Sequence, residues 1–401
     1  MNKNIKALYQ IAQKETRRII GLMSGTSLDG LDIALCEISG SGVNTEVKLI
    51  EFETVDYSDE IKTEIRKVFA QKNIDFQHLV LLNEWIGILH AEMINTSLKK
   101  WNIAAAEVDL IASHGQTVLH APKFLHQQEK FPNATLQIGD GDHIAVKTGI
   151  ITLSDFRQKH VAAGGEGAPL AVYGDYFLFG KEGENRIMLN IGGIANFTYL
   201  PAAITTEDTF VTDTGPGNTL IDLFVKRHFP EKSYDKDAET AKKGIVNQSL
   251  LEHLKDNDFF KKDFPKTIGQ ELFGYEYVNN SLEKSGNKAI SIEDLLATLT
   301  RFSAETIAEA IQFAVKNSSY KIEDFKIYMS GGGANNPLLV QWLKELLPCS
   351  FFKSNDLGIN SDAKEAILFA ILANETVAGG DFKFNSVKIP SVTMGKISMP
   401  D

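Results

Sequence analysis

Nine residues near the start of the chain, Ser24-Gly25-Thr26-Ser27-Leu28-Asp29-Gly30-Leu31-Asp32, combine glycines, hydroxyls and carboxylates at close spacing. Backbone N–H groups in such a turn can surround a phosphate, Thr26 and Ser27 add hydroxyl donors, and Asp29 can face a hydrated metal ion. An ordinary tight hairpin fits the same residues, because Gly and Asp are standard turn formers. Three further Gly-rich turns follow apolar runs, at Gly192–Gly193, Gly215–Gly217 and Gly331–Gly333. One such turn carries little weight, since Gly punctuates every fold. Four at strand ends, two of them leading into helices, match what a polyphosphate needs: convergent N–H groups and helix N-termini. The chain has neither a Gly-Lys-Ser/Thr loop nor a GxGxxG fingerprint, so the pattern reads as nucleotide binding of another kind.

Four other positions carry chemistry, the first three with two readings each. Asp213 precedes Thr214-Gly215-Pro216-Gly217-Asn218 and is either a general base projecting from a strand end or a turn cap. His114 lies in Ser113-His114-Gly115-Gln116-Thr117 after a buried strand. It is a hydrogen-bonded structural residue or, with Gln116, a partner for sugar hydroxyls. Arg157, in Asp155-Phe156-Arg157, can hold an anion or pair with the nearby Asp. Glu365, in Asp362-Ala363-Lys364-Glu365-Ala366, reads by itself as part of a solvated helix face.

The elements that must position these residues follow from periodicity. Ile19–Met23, Leu31–Ile38 and Val47–Phe52 are expected strands, with the Gly25–Gly30 turn between the first two. Leu79, Leu82, Ile86, Leu89 and Met93 recur at helical spacing. Val108–Ala112 is a buried strand that runs into Ser113–Thr117. Ala162–Pro169 is Gly-rich and reads as an interdomain connection. After it the opening theme returns: strand Arg186–Asn190, turn, strand Asn196–Leu200, which suggests an internal duplication. Phe210–Asp213 is a strand before the Thr-Gly-Pro-Gly-Asn turn, and Asn218 is the expected N-cap of the helix that follows. Asp235–Ser285 is mixed helix and loop. Ser291 with Asp294 resembles a capping box opening a helix to about Asn317. Phe325–Met329 is a strand, and helices are expected near Leu338–Leu347 and Asp362–Ala373, with a loop-like tail from Gly379.

Composition bounds the class. The 401 residues suit two domains, with 43% apolar and 23% charged residues as in water-soluble globular proteins. A net charge of −11 argues against nucleic acid or an anionic membrane as partner. Cys36 and Cys349 offer no metal-ligand spacing and no disulfide framework, and Met1–Arg18 lacks the apolar core of a signal peptide. A cytoplasmic protein is expected.

Taken together, these motifs resemble the anhydro-N-acetylmuramic acid kinase family from about Arg18 to the C-terminus. The resemblance rests on Gly21–Asp32, Ser113–Thr117, Gln137-Ile138-Gly139-Asp140, Asp155–Arg157, Gly164–Pro169, Asn190–Asn196, Asp213–Asn218 and Ser330–Gly333. It implies an α/β, two-domain actin-like ATPase fold, a duplicated ribonuclease H-like arrangement with a central cleft. The expected domains are residues 1–160, with a segment of about 375–401 packing back on them, and residues 161–374. The implied reaction uses ATP and Mg2+, opens 1,6-anhydro-N-acetylmuramic acid with water and phosphorylates O6, in cell-wall recycling. By the same resemblance Asp213 is the base and Glu365 a carboxylate acting at the sugar. ATP contacts are expected at Gly25, Thr26, Ser27, Leu28, Asp29, Gly30, Leu31, Asp32, Gly192, Gly193, Asn196, Gly331, Gly332 and Gly333. Sugar contacts are expected at His114, Gln116, Gln137 and Arg157. Direct metal ligands are left unassigned, and a homodimer is compatible.

Two positions depart from the family pattern. The family commonly has Asp-Phe-Arg-x-x-Asp and Gly-Gly-Gln-Gly-Ala-Pro, where this chain has His160 and Glu166. They motivate a second reading, a kinase of the same fold acting on another amino sugar. A non-catalytic sugar sensor or an actin-like filament protein is a third, although no basic DNA-binding segment is present.

Overall fold

Ile20 and Leu22 on β1 (Thr16–Ser24) pair with Leu35 and Ile33 on β2 (Gly30–Ser39) across an antiparallel ladder, and all four are wholly buried. Period-two alternation thus commits one face of the hairpin to a core. The computed structural model describes residues 1–168, 170–203, 208–268, 272–286, 289–358, 362–379 and 390–401. It divides into two units, one comprising Met1–Phe179 and Ile359–Asp401, the other Gly180–Ile204 and Asp208–Gly358.

In the first unit the hairpin continues into β3 (Glu46–Asp56), antiparallel to β2. Then β4 (Leu110–Ala121) joins β1 in parallel and β6 (Thr152–Ser154) joins β4 in parallel, while β5 (Ala134–Ile138) pairs antiparallel with β4. The helices in chain order are α1 (Lys3–Ala12), α2 (Asp59–Arg66), α3 (Phe76–Trp101), α4 (Lys123–His126), α5 (Gly141–Thr148), α6 (Phe156–Ala162) and α7 (Ala171–Phe179). On α3 the expected apolar face is in place: Leu82 and Ile86 are buried in the core, and Leu79, Leu89 and Met93 pack against it.

In the second unit β7 (Asn185–Ile191), β8 (Ile194–Leu200) and β9 (Phe210–Pro216) form an antiparallel meander. The helices α8 (Thr219–His228), α9 (Gln248–Lys255), α10 (Tyr275–Ser285) and α11 (Ile292–Lys316) follow. Then β10 (Phe325–Ser330) joins β7 in parallel, and β11 (Ser350–Lys353), after α12 (Pro337–Leu346), joins β10 in parallel. Ser291 Oγ accepts from the Asp294 N–H at 3.1 Å, so the expected N-cap starts α11.

The chain then gives α13 (Lys364–Ala378) and β12 (Lys396–Ser398), which pairs antiparallel with β6 in the first unit. The strand orders are β12-β6-β4-β1-β2-β3 and β11-β10-β7-β8-β9. Leaving β12 and β5 aside, both sheets follow one path: a three-strand antiparallel meander, then two parallel additions on the side of its first strand. The hairpin recurrence in the sequence is therefore the visible part of a whole ribonuclease H-like duplication.

Three sequence expectations need correction. Ala162–Ala168 is not a connection between units but lies inside the first, where Arg157 Nη1 donates to Gly167 O at 2.7 Å and the Gly167 N–H donates to His160 Nδ1 at 2.9 Å. The joints lie after Phe179 and Gly358 rather than at 160 and 374. The reason is α13, which packs on β1, β2, β4 and α7. Its backbone rides so close to β1 that a Cβ on Gly21 would stand 1.9 Å from Ala366 O. Finally, β9 runs through Thr214, Gly215 and Pro216, so Asp213 lies within the strand and not at its end. Pro169 and residues 380–389 of the expected tail lie outside the described residues.

Candidate active site

The β1–β2 tip places Gly25 to Asp29 between Ser24 and Gly30. Thr26, Ser27 and Asp29 are exposed, whereas Leu28 and Leu31 bury their side chains in the core, with Leu28 in the left-handed region at φ 59°. The tip therefore presents backbone, hydroxyls and one carboxylate outward, and the two leucines can contribute only main-chain groups. Asp32 Oδ1 accepts from Thr54 Oγ1 at 2.6 Å. Its carboxyl is raised above the usual range, chiefly by burial, with the charges of Asp29 and Asp362 adding to the rise. A magnesium ion is commonly held by one or two carboxylates together with phosphate oxygens, and Asp29 and Asp32, close enough for their charges to add, supply that donor type beside the tip.

Behind the tip, the expected sugar residues divide. Gln116 is wholly buried and its amide is committed: Nε2 donates to Gly25 O at 2.9 Å and Thr117 O at 3.1 Å, and Oε1 accepts from Ser24 Oγ at 2.5 Å. His114 donates from Nδ1 to Gly115 O at 2.7 Å, accepts at Nε2 from Arg157 Nε at 2.8 Å, and packs on the Phe369 ring. Burial and the Arg157 charge push this imidazole down to about 3, so it is neutral. Arg157 is thus gripped on two sides, by His114 and by Gly167 O, while its second terminal nitrogen is not used in these bonds. Burial pulls the guanidinium down to about 10, Glu365 acting against that shift, and the group stays cationic at neutral pH. Gln137 donates to Thr135 Oγ1 at 2.9 Å and lines, with His114, a recess of about 610 Å3.

Glu365, on the first turn of α13, is exposed as a residue, yet atoms crowding its carboxyl remove enough solvent to raise its proton affinity. Arg157 and Lys364 oppose that rise and Asp32 adds to it. The same recess holds Glu84 and Asp140, which with His143 bring metal-type donors within 4.8 Å of one another. His143 Nδ1 lies 2.8 Å from Glu84 Oε2 and 3.1 Å from Asp140 Oδ1; these imidazole–carboxylate contacts account for the trio, and no ion is assigned to it.

His160, where the family commonly has Asp, is 1% exposed and takes the Gly167 N–H at Nδ1. A carboxylate there would accept the same bond. The departure keeps the acceptor and with it the turn that grips Arg157. Glu166 is half-buried.

The second unit gathers three Gly-rich turns around one residue, Ile191. The Gly217 N–H donates to Gly193 O and the Asn218 N–H to Gly192 O, both at 2.8 Å. A Cβ on Gly217 would stand 2.2 Å from Gly192 O, and one on Gly333 would stand 2.2 Å from Ile191 Cγ2. Only glycine permits this approach. Asn218 does not cap α8 with its side chain: Nδ2 reaches back to Ile191 O at 3.4 Å, tying the turn to β7 instead. Asn196 and Asp213 face each other across the β8–β9 ladder.

Asp213 is fixed by its own backbone N–H to Lys266 O at 2.9 Å and by the Ile268 N–H to its Oδ2 at 2.8 Å. Burial pushes its carboxyl up to about 6, against the pull of the Ile268 bond. A recess of about 490 Å3 opens beside Gly332, lined among others by Asn218, Asp222, Tyr234 and Asn336. Burial also pushes Asp222 up to about 6. Neither Asp222 nor Tyr234 was singled out from the sequence; Asp222 looks like any helix carboxylate, and Tyr234 lies just before the stretch that gave no pattern.

Two sheets of one strand order, each led by a Gly-rich hairpin, define the actin-like class of ATP-using folds. Residues 17–393 match the family described as anhydro-N-acetylmuramic acid kinase. Relatives given that name in Pseudoalteromonas atlantica and Pseudoalteromonas translucida are 53% and 49% identical over 405 residues, covering 100% of this chain and of each relative. A third, in Caldanaerobacter subterraneus, is 42% identical over 400 residues, covering 98% of this chain and 99% of the relative. The chain belongs to the anhydro-N-acetylmuramic acid kinase family and is an ATP-dependent sugar kinase. Among the described residues no helix is long and apolar enough to cross a membrane.

Proposed function

We propose that this chain opens 1,6-anhydro-N-acetylmuramic acid with water and transfers the γ-phosphoryl group of ATP to O6, giving N-acetylmuramic acid 6-phosphate for cell-wall recycling. The observation that carries the reading is Asp213, a strand-held carboxyl pushed up to about 6, which is near the working pH of a general base. Asp213 takes a proton from water, whose oxygen bonds to C1. The C1–O6 pair passes to O6, O6 attacks the γ-phosphorus, and ADP leaves with the bridging electrons. The proton on Asp213 returns to solvent. Joining both steps in one site lets ring opening create the nucleophile where it is used.

In this reading Arg157 holds the anionic part of the sugar and Glu365 hydrogen-bonds its polar groups. His114 and Gln116 are positioning residues, one for Arg157 and one for the phosphate tip. The glycines at 25, 30, 192, 193 and 331–333 give backbone N–H groups to the phosphates, and the recess beside Gly332 takes the nucleoside. Asp29 and Asp32 beside the tip would hold magnesium together with the phosphates, and the ion would supply neutralisation of phosphate charge. The reading includes a cytoplasmic location, where ATP and magnesium are at hand, and a homodimer that sedimentation velocity would weigh.

Incubation with magnesium, ATP and the anhydro sugar in oxygen-18 water tests the proposal. The label must appear at C1 of the phosphorylated product. Unlabelled product excludes hydrolytic opening, and product from another amino sugar alone favours the second reading.

A further inference from the structure

We propose that Tyr57, just past the end of β3, is the positioning residue of the Ser24–Asp29 tip and holds both of its ends through a one-way chain of hydrogen bonds that begins at His90. The inference rests on reading that tip as a phosphate loop. The Tyr57 N–H donates to Asp29 O at 2.8 Å, and Tyr57 Oη lies 2.8 Å from Ser24 Oγ. One residue therefore grips the last residue of the turn through its backbone and the residue before the turn through its side chain.

Counting hydrogens fixes the direction of every link. Gln116 Nε2 donates to two carbonyls, Gly25 O and Thr117 O, so its Oε1 is the atom facing Ser24. The single Ser24 hydroxyl hydrogen goes to that oxygen, so Ser24 accepts from Tyr57. The Tyr57 hydrogen is then spent on Ser24, so at 2.7 Å Tyr57 Oη accepts from His90 Nε2. His90 must carry its proton on Nε2, which leaves Nδ1 a bare acceptor, and Nδ1 indeed has no partner among the described residues. The order is His90, Tyr57, Ser24, Gln116, Gly25 O, and it cannot reverse, because the carbonyl at its end has no hydrogen to give.

The four side chains are between 0% and 3% exposed, so water does not substitute for a broken link. Burial also pushes His90 down to about 4 and Tyr57 well above its usual range, which keeps both neutral as the chain requires. On the outer side, the side chains of Thr26, Ser27 and Asp29 make no hydrogen bond to a described residue. The tip is held from beneath and left free above, as a loop needs when its upper side is to meet a ligand.

Tyr57→Phe removes the central hydroxyl while filling nearly the same volume. Calorimetric titration with magnesium and the imidodiphosphate analogue of ATP should give a Kd about tenfold weaker than in the parent protein. The Kd for adenosine and the KM for the sugar should not change, because neither depends on the tip. An unchanged analogue Kd in folded protein, or an equal loss for adenosine, overturns the proposal. If Tyr57→Phe does not fold, His90 supplies the test: His90→Gln keeps an N–H donor and should retain analogue binding, whereas His90→Leu should lose it about tenfold. Equal binding by those two variants also overturns it. A parent protein that binds adenosine and the analogue equally well sinks the phosphate-loop reading itself, before any variant is compared.

Discussion

Arg157 Nε donates to His114 Nε2 across 2.8 Å, and with Nδ1 already given to Gly115 O the imidazole has no ring nitrogen left for a ligand. In the proposed reaction His114 therefore serves by aiming the guanidinium. Arg157→Lys keeps the charge but cannot donate to both His114 and Gly167 O. We expect KM for the sugar to rise on the order of tenfold to a hundredfold, equivalent to about 1.4–2.7 kcal/mol, with KM for ATP unchanged. Steady-state kinetics with each substrate varied in turn would show this, and a shift in the ATP KM alone would contradict it.

Asp213→Asn keeps an oxygen for the Ile268 N–H but cannot take a proton. Turnover should fall by about a thousandfold or more, at the upper part of what a positioned base supplies. If Asp213 is the proposed base, kcat/KM for the sugar in the parent enzyme should rise with pH through about 6 and level off above it, since only the carboxylate can take the proton. Buffer-independent pH profiles would test the slope; a flat profile between pH 5 and 8 removes Asp213 as base.

The same carboxyl has a thermodynamic signature. Its folded pKa lies above the unfolded value of 3.8, so the folded state holds the proton more tightly and stability from this group is lost as pH rises through about 6. Asp213→Asn should therefore melt at a higher temperature than the parent at pH 7.5, with the gap closing toward pH 4. A variant that melts lower at pH 7.5 would show that the carboxylate is stabilised, not strained.

His90, His114 and His160 shift the opposite way, to about 4, 3 and 4, with burial the main cause each time. Their contribution is complete above the unfolded value of 6.5 and is lost as pH falls toward those folded values. Each such group adds up to about 1.4 kcal/mol of lost stability per pH unit in that window. Urea unfolding at pH 7, 6 and 5 should show the decline, and His160→Asp, which retains an acceptor for the Gly167 N–H, should make it shallower below pH 6.

Gly217→Ala probes the knot of turns. A Cβ 2.2 Å from Gly192 O forces the turn at Gly217 away from the β7–β8 tip. A loss of about 2–4 kcal/mol is expected, in the range of strained or overpacked sites, and nucleotide binding should weaken with it. Equal stability to the parent would mean that the two turns can part without cost.

Local periodicity made the strands and the long helices legible. Ile20, Leu22, Ile33 and Leu35 announce a hairpin because alternation is a property of neighbours in sequence. The candidate site was legible in composition but not in role. Asp213 sits within β9 because Thr-Gly-Pro continues the ladder, and nothing local separates that from a turn. Ile191 draws Gly217 and Gly333 together by contacts that span long stretches of chain. His114 and Gln116 carry the right polar groups for a sugar, yet their hydrogen bonds are spent on Arg157, Ser24 and backbone carbonyls, which only three dimensions reveal. The Gly-rich stretch at 162–168 misled for a related reason: its flexibility signal is local, while the Arg157 and His160 bonds that anchor it are tertiary.

The path of the chain through its two units has a consequence for synthesis. The second unit is almost continuous, from Gly180 to Gly358, whereas α13 and β12 of the first are made only after it. On a ribosome the later unit can finish folding while the earlier one still waits, its face at Gly21 uncovered until α13 emerges. The half translated first is completed last, and a chain stalled after Gly358 would display an open apolar sheet to the cell's proteases.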